Sequence, residues 1–73
     1  MNKYECTWNK GSGCYTFVVE VKAATEEHAK QMASALASRT SGWPYIETNR
    51  WNVSVLDTGY SGDAKVLDYK KLD

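Results

Sequence analysis

Proline, histidine and phenylalanine each occur once in this 73-residue chain, and cysteine only twice. Two cysteines, Cys6 and Cys14, make neither a disulfide framework nor a metal-ligand cluster to staple a small fold, and their spacing fits no zinc or thioredoxin motif. Charge of one sign is also missing. Nine Lys+Arg balance nine Asp+Glu for a formal net charge of zero, which disfavours a strongly basic nucleic-acid domain. No apolar run approaches the ~18 to 20 residues of a membrane-spanning helix, the longest being pieces such as Phe17-Val18-Val19. Met1-Asn2-Lys3-Tyr4-Glu5 carries no apolar signal core behind its lysine, so a cytoplasmic protein with no membrane association is expected. The length suits one domain, residues 1–73, whose single core is marginally stabilising.

Alternation is what the chain has in place of motifs. Tyr4, Cys6 and Trp8 alternate with Lys3, Glu5 and Thr7, and Tyr15, Phe17, Val19, Val21 and Ala23 alternate with Cys14, Thr16, Val18, Glu20 and Lys22. Each set has the period of two that a half-buried strand shows. The turn formers Asn9-Lys10-Gly11-Ser12-Gly13 between them predict a hairpin. Pairing Tyr4 with Phe17 and Cys6 with Tyr15 keeps the apolar residues on one face, with a loop of Asn9 to Ser12. In that register Cys14 points away from Cys6, so two free thiols are expected.

Thr25 is the predicted helix N-cap, with Glu26 and Glu27 placing negative charge against the first turn. Ala29, Met32, Ala33, Leu36 and Ala37 form the predicted buried stripe, opposite Lys30, Gln31, Ser34 and Ser38. Gly42 after Arg39 marks the expected stop. A third strand is expected over Trp51, Val53 and Val55, beginning as early as Tyr45. A fourth runs from Ala64 to about Tyr69, with either Val66 or the Leu67/Tyr69 pair facing the core, before a frayed tail of residues 70–73. Asn52-Val53-Ser54, formally a glycosylation sequon, reads as strand. The sum is an α+β fold of order β-β-α-β-β. One four-stranded antiparallel sheet carries a single helix on one face, with expected strand order 2-1-3-4.

Nothing in this arrangement converges for catalysis. His28 sits in the first helical turn beside two glutamates, where a solvated helix residue is the ordinary reading. Gly11-Ser12-Gly13 lacks the Lys-Ser/Thr of a phosphate loop and joins two strands. The acids are spread singly. No enzyme, cofactor or metal is expected. Parity places Lys3, Glu5, Thr7, Thr16, Val18, Glu20, Lys22, Arg50, Asn52 and Ser54 on the open sheet face, without an aromatic stacking platform for bases. Direct nucleic-acid binding through phosphate contacts is the secondary expectation.

Three tryptophans and five tyrosines exceed what a small core hides with ease, and large amphipathic rings are preferred interface anchors. Trp51, Tyr15 and Phe17 are assigned to the core. Trp43 and Tyr45 beside Pro44, and Tyr60 in its glycine-flanked loop, are the candidate apolar anchors, Trp43 reading equally as a lid over the end of the helix, with Lys10, Arg39 and Arg50 as charged contacts. The expected partner is a larger protein or nucleoprotein complex. An exposed strand edge also permits a homodimer.

The segment from Val19 through Lys22, Thr25-Glu26-Glu27 and His28 to Ala33 resembles the strand-to-helix unit of several very small phage and mobile-element proteins. Among these are anti-CRISPR inhibitors of type I interference complexes. The resemblance spans about a fifth of the chain and rests on size and habit rather than a motif, since such a helix start is generic. It implies a non-enzymatic inhibitor, in the host cell's cytoplasm if phage-encoded, that occupies a surface of a larger nucleoprotein machine. It transfers no functional residues.

Overall fold

The computed structural model describes residues 1–9, 16–41 and 50–72. Strand β1 covers Asn2–Asn9 and β2 Thr16–Ala23, helix α1 covers Glu26–Ser41, β3 is Asn52–Asp57 and β4 is Lys65–Leu72. All neighbouring strands are antiparallel, and α1 packs on β2 and β1 and reaches β4. The expected β-β-α-β-β architecture is therefore the one observed.

The core follows the alternation residue by residue. Tyr4, Cys6 and Trp8 from β1 and Phe17, Val19, Val21 and Ala23 from β2 are buried, against Ala29, Ala33 and Ala37 of α1. Met32 and Leu36 complete the helix stripe. Small helix residues let the backbone lie close over a sheet that supplies the bulk: Trp8 stacks on Phe17 with centroids 5.4 Å apart, and Trp51 and Tyr69 lean on Phe17 at 6.5 and 5.8 Å. Thr25 caps the helix as expected, its Oγ1 accepting the His28 amide at 3.1 Å.

Strand order departs from the expectation. The order is β3-β1-β2-β4, so β4 pairs with β2 and not with β3. The connection 58–64 passes across the end of the sheet where β1 begins and β2 finishes: the Tyr60 amide donates to the Met1 carbonyl at 2.9 Å, and Lys22 Nζ donates to the Ser61 carbonyl at 2.8 Å. Gly59 and Gly62, at φ +82° and +90°, supply the left-handed bends. This route puts the two strands beneath the helix in the middle of the sheet, and Tyr69 and Val66 cover the flank of β2 that a β3-β4 hairpin would have left bare.

The hairpin register also differs. Trp8 pairs with Phe17, Cys6 with Val19 and Tyr4 with Val21, a slip of four residues from the expected pairing. A four-residue slip leaves every side chain on its own face, so alternation cannot choose between the two registers. The observed one pairs Trp8 directly with Phe17. The expected loop accordingly lengthens, Asn9 being in β1 and paired with Thr16. Cys14 and Tyr15 lie outside the described residues, as do Gly42 and any start of β3 near Tyr45.

Both edge strands carry a bulge. In β4, Asp68 pairs with Glu20 and Val66 with Val21, leaving Leu67 as the extra residue. That resolves the parity of β4, because the bulge lets Val66 and Tyr69 both pack on the core while Leu67 is exposed. In β3, Val55 pairs with Tyr4 and Asp57 with Lys3, leaving Leu56 extra. Val55, expected inward, is 50% exposed because β3 is an edge strand and the helix lies over β1 and β2. Residues 70–72, expected to fray, belong to β4 because Val18, Phe17 and Thr16 supply pairing partners.

Candidate functional site

The one buried polar side chain among the described residues is Ser34, expected on the solvent side of the helix. It is instead 7% exposed, with its Oγ accepting the Trp51 indole N–H at 2.6 Å. Partners so far apart in sequence leave no local signal, and a serine beside an alanine stripe reads as polar surface. The bond lets a tryptophan be buried with its N–H satisfied, and it ties the chain entering β3 to the middle of α1.

Cys6 is a buried free thiol with no solvent exposure. Burial pushes its pKa from 9.0 to about 11, Lys30 pulls it back and Glu26 and Glu5 add to the rise. At neutral pH it is therefore a neutral thiol in apolar packing, without the thiolate that nucleophilic or redox chemistry needs. Because the native state holds this proton more tightly than the unfolded chain, the thiol's contribution to stability is full below pH 9 and is lost as pH rises toward 11. Urea titrations across that interval should show stability falling, with a shallower fall in Cys6→Val. An identical slope in the variant would assign the alkaline loss to other groups.

His28 is exposed in the first helical turn, and no three His, Cys, Asp or Glu side chains among the described residues gather to hold a metal ion. No helix among the described residues is long and apolar enough to cross a membrane.

Of the candidate contact residues, Arg39 is exposed in the last turn of α1 and Arg50 is exposed beside the buried Trp51. Trp51 packs at 6.4 Å from Trp8, near the end of β1, and Thr40 beside Arg39 donates to the hydroxyl of Tyr69, which leans on Phe17 near the start of β2, so both arginines lie toward the end of the sheet where β1 finishes and β2 begins. Tyr60 lies at the opposite end, its backbone paired with Met1 and its hydroxyl 3.4 Å from Asp57 Oδ2. Expected exposed, it is partly buried because the 58–64 connection closes that end of the sheet. The structure thus separates Tyr60 from the arginines by the length of a strand, about 25 Å. Lys10, Trp43 and Tyr45 lie outside the described residues.

The open face has an order that parity alone did not show. Register sets Asp57, Lys3, Lys22 and Lys65 side by side across the four strands, and two residues along, Ser54, Glu5, Glu20 and Asp68 side by side. A row of three ammonium groups ended by the Asp57 carboxylate thus runs parallel to a row of three carboxylates ended by Ser54, about 6.8 Å away. Lys3 Nζ and Glu20 Oε2 join them on one diagonal at 3.7 Å. Asn52, Thr7, Val18 and Lys70 follow as the next row.

Comparison with protein-family models, with curated proteins and with solved structures gave no match to this chain.

Proposed function

We propose that this protein is a non-enzymatic binding module that inhibits or modulates a larger protein or nucleoprotein complex, with a phage anti-defence, anti-CRISPR-like role as its most concrete form. The observation that supports binding is the distribution of its aromatics. Tyr4, Trp8, Phe17, Trp51 and Tyr69 are taken up by the core, whereas Trp43 and Tyr45 fall in the segment between the exposed Arg39 and Arg50. Arginine and tryptophan are the residues on which interface affinity concentrates. The buried, protonated Cys6 and the solvated His28 supply no competing chemistry.

A second reading, phosphate binding, is favoured by the lysine row, but the carboxylate row beside it would repel a nucleic-acid backbone. The two readings differ in salt dependence. The test is affinity capture from lysate of the source organism with the wild type, Trp43→Ala and Arg39→Glu/Arg50→Glu, with nuclease treatment and high-salt washes in parallel. A stoichiometric protein that survives nuclease and salt with the wild type, and is reduced at least tenfold by either variant, is the expected result. Recovery of salt-labile nucleic acid alone, or capture unchanged by both variants, would overturn the reading.

A further inference from the structure

We propose that the uncovered sheet face is a self-association surface that takes a second copy of this chain face to face, lysine row on carboxylate row. The reason lies in pairing. Lys3 is directly opposite Lys22 and Lys22 opposite Lys65, and Glu5 is directly opposite Glu20 and Glu20 opposite Asp68. Like charges directly opposed on neighbouring strands destabilise a sheet. Within one copy Asp57 stands directly opposite Lys3 on its other side, the Lys3–Glu20 contact relieves the pairing on one diagonal, and Lys22 uses one of its three donors on the Ser61 carbonyl.

A second copy relieves the rest. Three lysines of one row stand beside three carboxylates of the next, with Asp57 at the β3 end of the lysine row and Ser54 at that end of the other. A two-fold axis parallel to them, level with the intervening Val55-Tyr4-Val21-Val66 row, sets Lys3 over Glu5 of the second copy, Lys22 over Glu20 and Lys65 over Asp68, and symmetry repeats all three. Any other occupant would have to carry this banding in matching register, whereas the copy carries it by construction. With a formal net charge of zero, the two chains approach without overall repulsion.

The edges are poorer routes to the same end. Both edge strands are bulged, and β4 carries Lys65, Lys70 and Lys71, devices that discourage strand addition. The exposed Leu56 and Leu67 lie at the two margins of the charged rows and add apolar area there. Four strands at about 4.8 Å spacing and six residues at about 3.4 Å rise make a face of roughly 400 Å² per copy. That is a small interface, so the dimer is weak, concentration-dependent and salt-sensitive. It lies apart from the Arg39 and Arg50 end, so either surface can fail without the other.

Sedimentation equilibrium of the full chain over a concentration series, at low and at high salt, tests this with Lys22→Glu, with Glu20→Lys and with their equimolar mixture. The wild type should associate at low salt and be monomeric at high salt. Each variant alone should dissociate at least tenfold more readily, because each sets two like-charged pairs face to face. The mixture should regain association, because each new charge then meets its opposite. Far-UV spectra matching the wild type establish that both variants are folded. A wild type that stays monomeric at every concentration at low salt overturns the proposal. So does association indifferent to salt and to both substitutions, which would point to a strand edge, or a mixture no better associated than its components.

Discussion

Phe17→Ala is expected to leave the chain without a cooperative unfolding transition. Phe17 has no solvent exposure and touches the rings of Trp8, Trp51 and Tyr69, so it is the point at which β1, β2, β4 and the chain entering β3 meet. Truncating such a ring removes its transfer free energy and leaves a cavity, typically about 3–5 kcal/mol. A core of this size supplies roughly the same amount in total. Urea titration followed by far-UV circular dichroism should give a sigmoid for the wild type, a shifted sigmoid for Phe17→Leu and a featureless slope for Phe17→Ala. A midpoint for Phe17→Ala close to that of the wild type would show that the ring cluster is not what holds the sheet together.

Ser34→Ala should lower the unfolding free energy by about 1–3 kcal/mol, although it removes a single oxygen. The effect comes from the other partner. Trp51 is 3% exposed and donates its indole N–H to Ser34 Oγ, so the substitution leaves a buried donor with no acceptor. Trp51→Phe made on top of Ser34→Ala should then cost less than in the wild type, because the orphaned N–H is removed along with the ring. Denaturant titrations of the four proteins of that cycle give the coupling directly. A coupling below about 0.5 kcal/mol would mean that the bond makes no net contribution beyond packing.

The contrast between these two residues shows what could be read in advance. Phe17 was legible as core because it sits in an alternating run, and alternation is a local property of the strand. Ser34 was not, because its burial depends on a tryptophan seventeen positions away that only the folded chain brings near. The candidate contact surface divides in the same manner. Arg39 and Arg50 fall toward one end, as chain order around α1 and Trp51 suggests, but Tyr60 lies at the other, because the 58–64 connection passes the end of the sheet where β1 begins and β2 finishes. The direction of that connection depends on which edge β4 joins, and Val66 and Tyr69 join the edge where they pack beside Val21 and Phe17.

By itself the sequence determined the elements, their faces and the identity of the core, because periods of 2 and 3.6 and a capping threonine act within a few residues of chain. Tertiary structure alone decided the strand order, the hairpin register and the two bulges, because slips of even number and alternative edges preserve every local preference and differ only in which distant side chains meet. The banding of the open face belongs to this second group. Lys3, Lys22 and Lys65, and Glu5, Glu20 and Asp68, are scattered along the chain, and they become two opposed rows through the register of three paired strands.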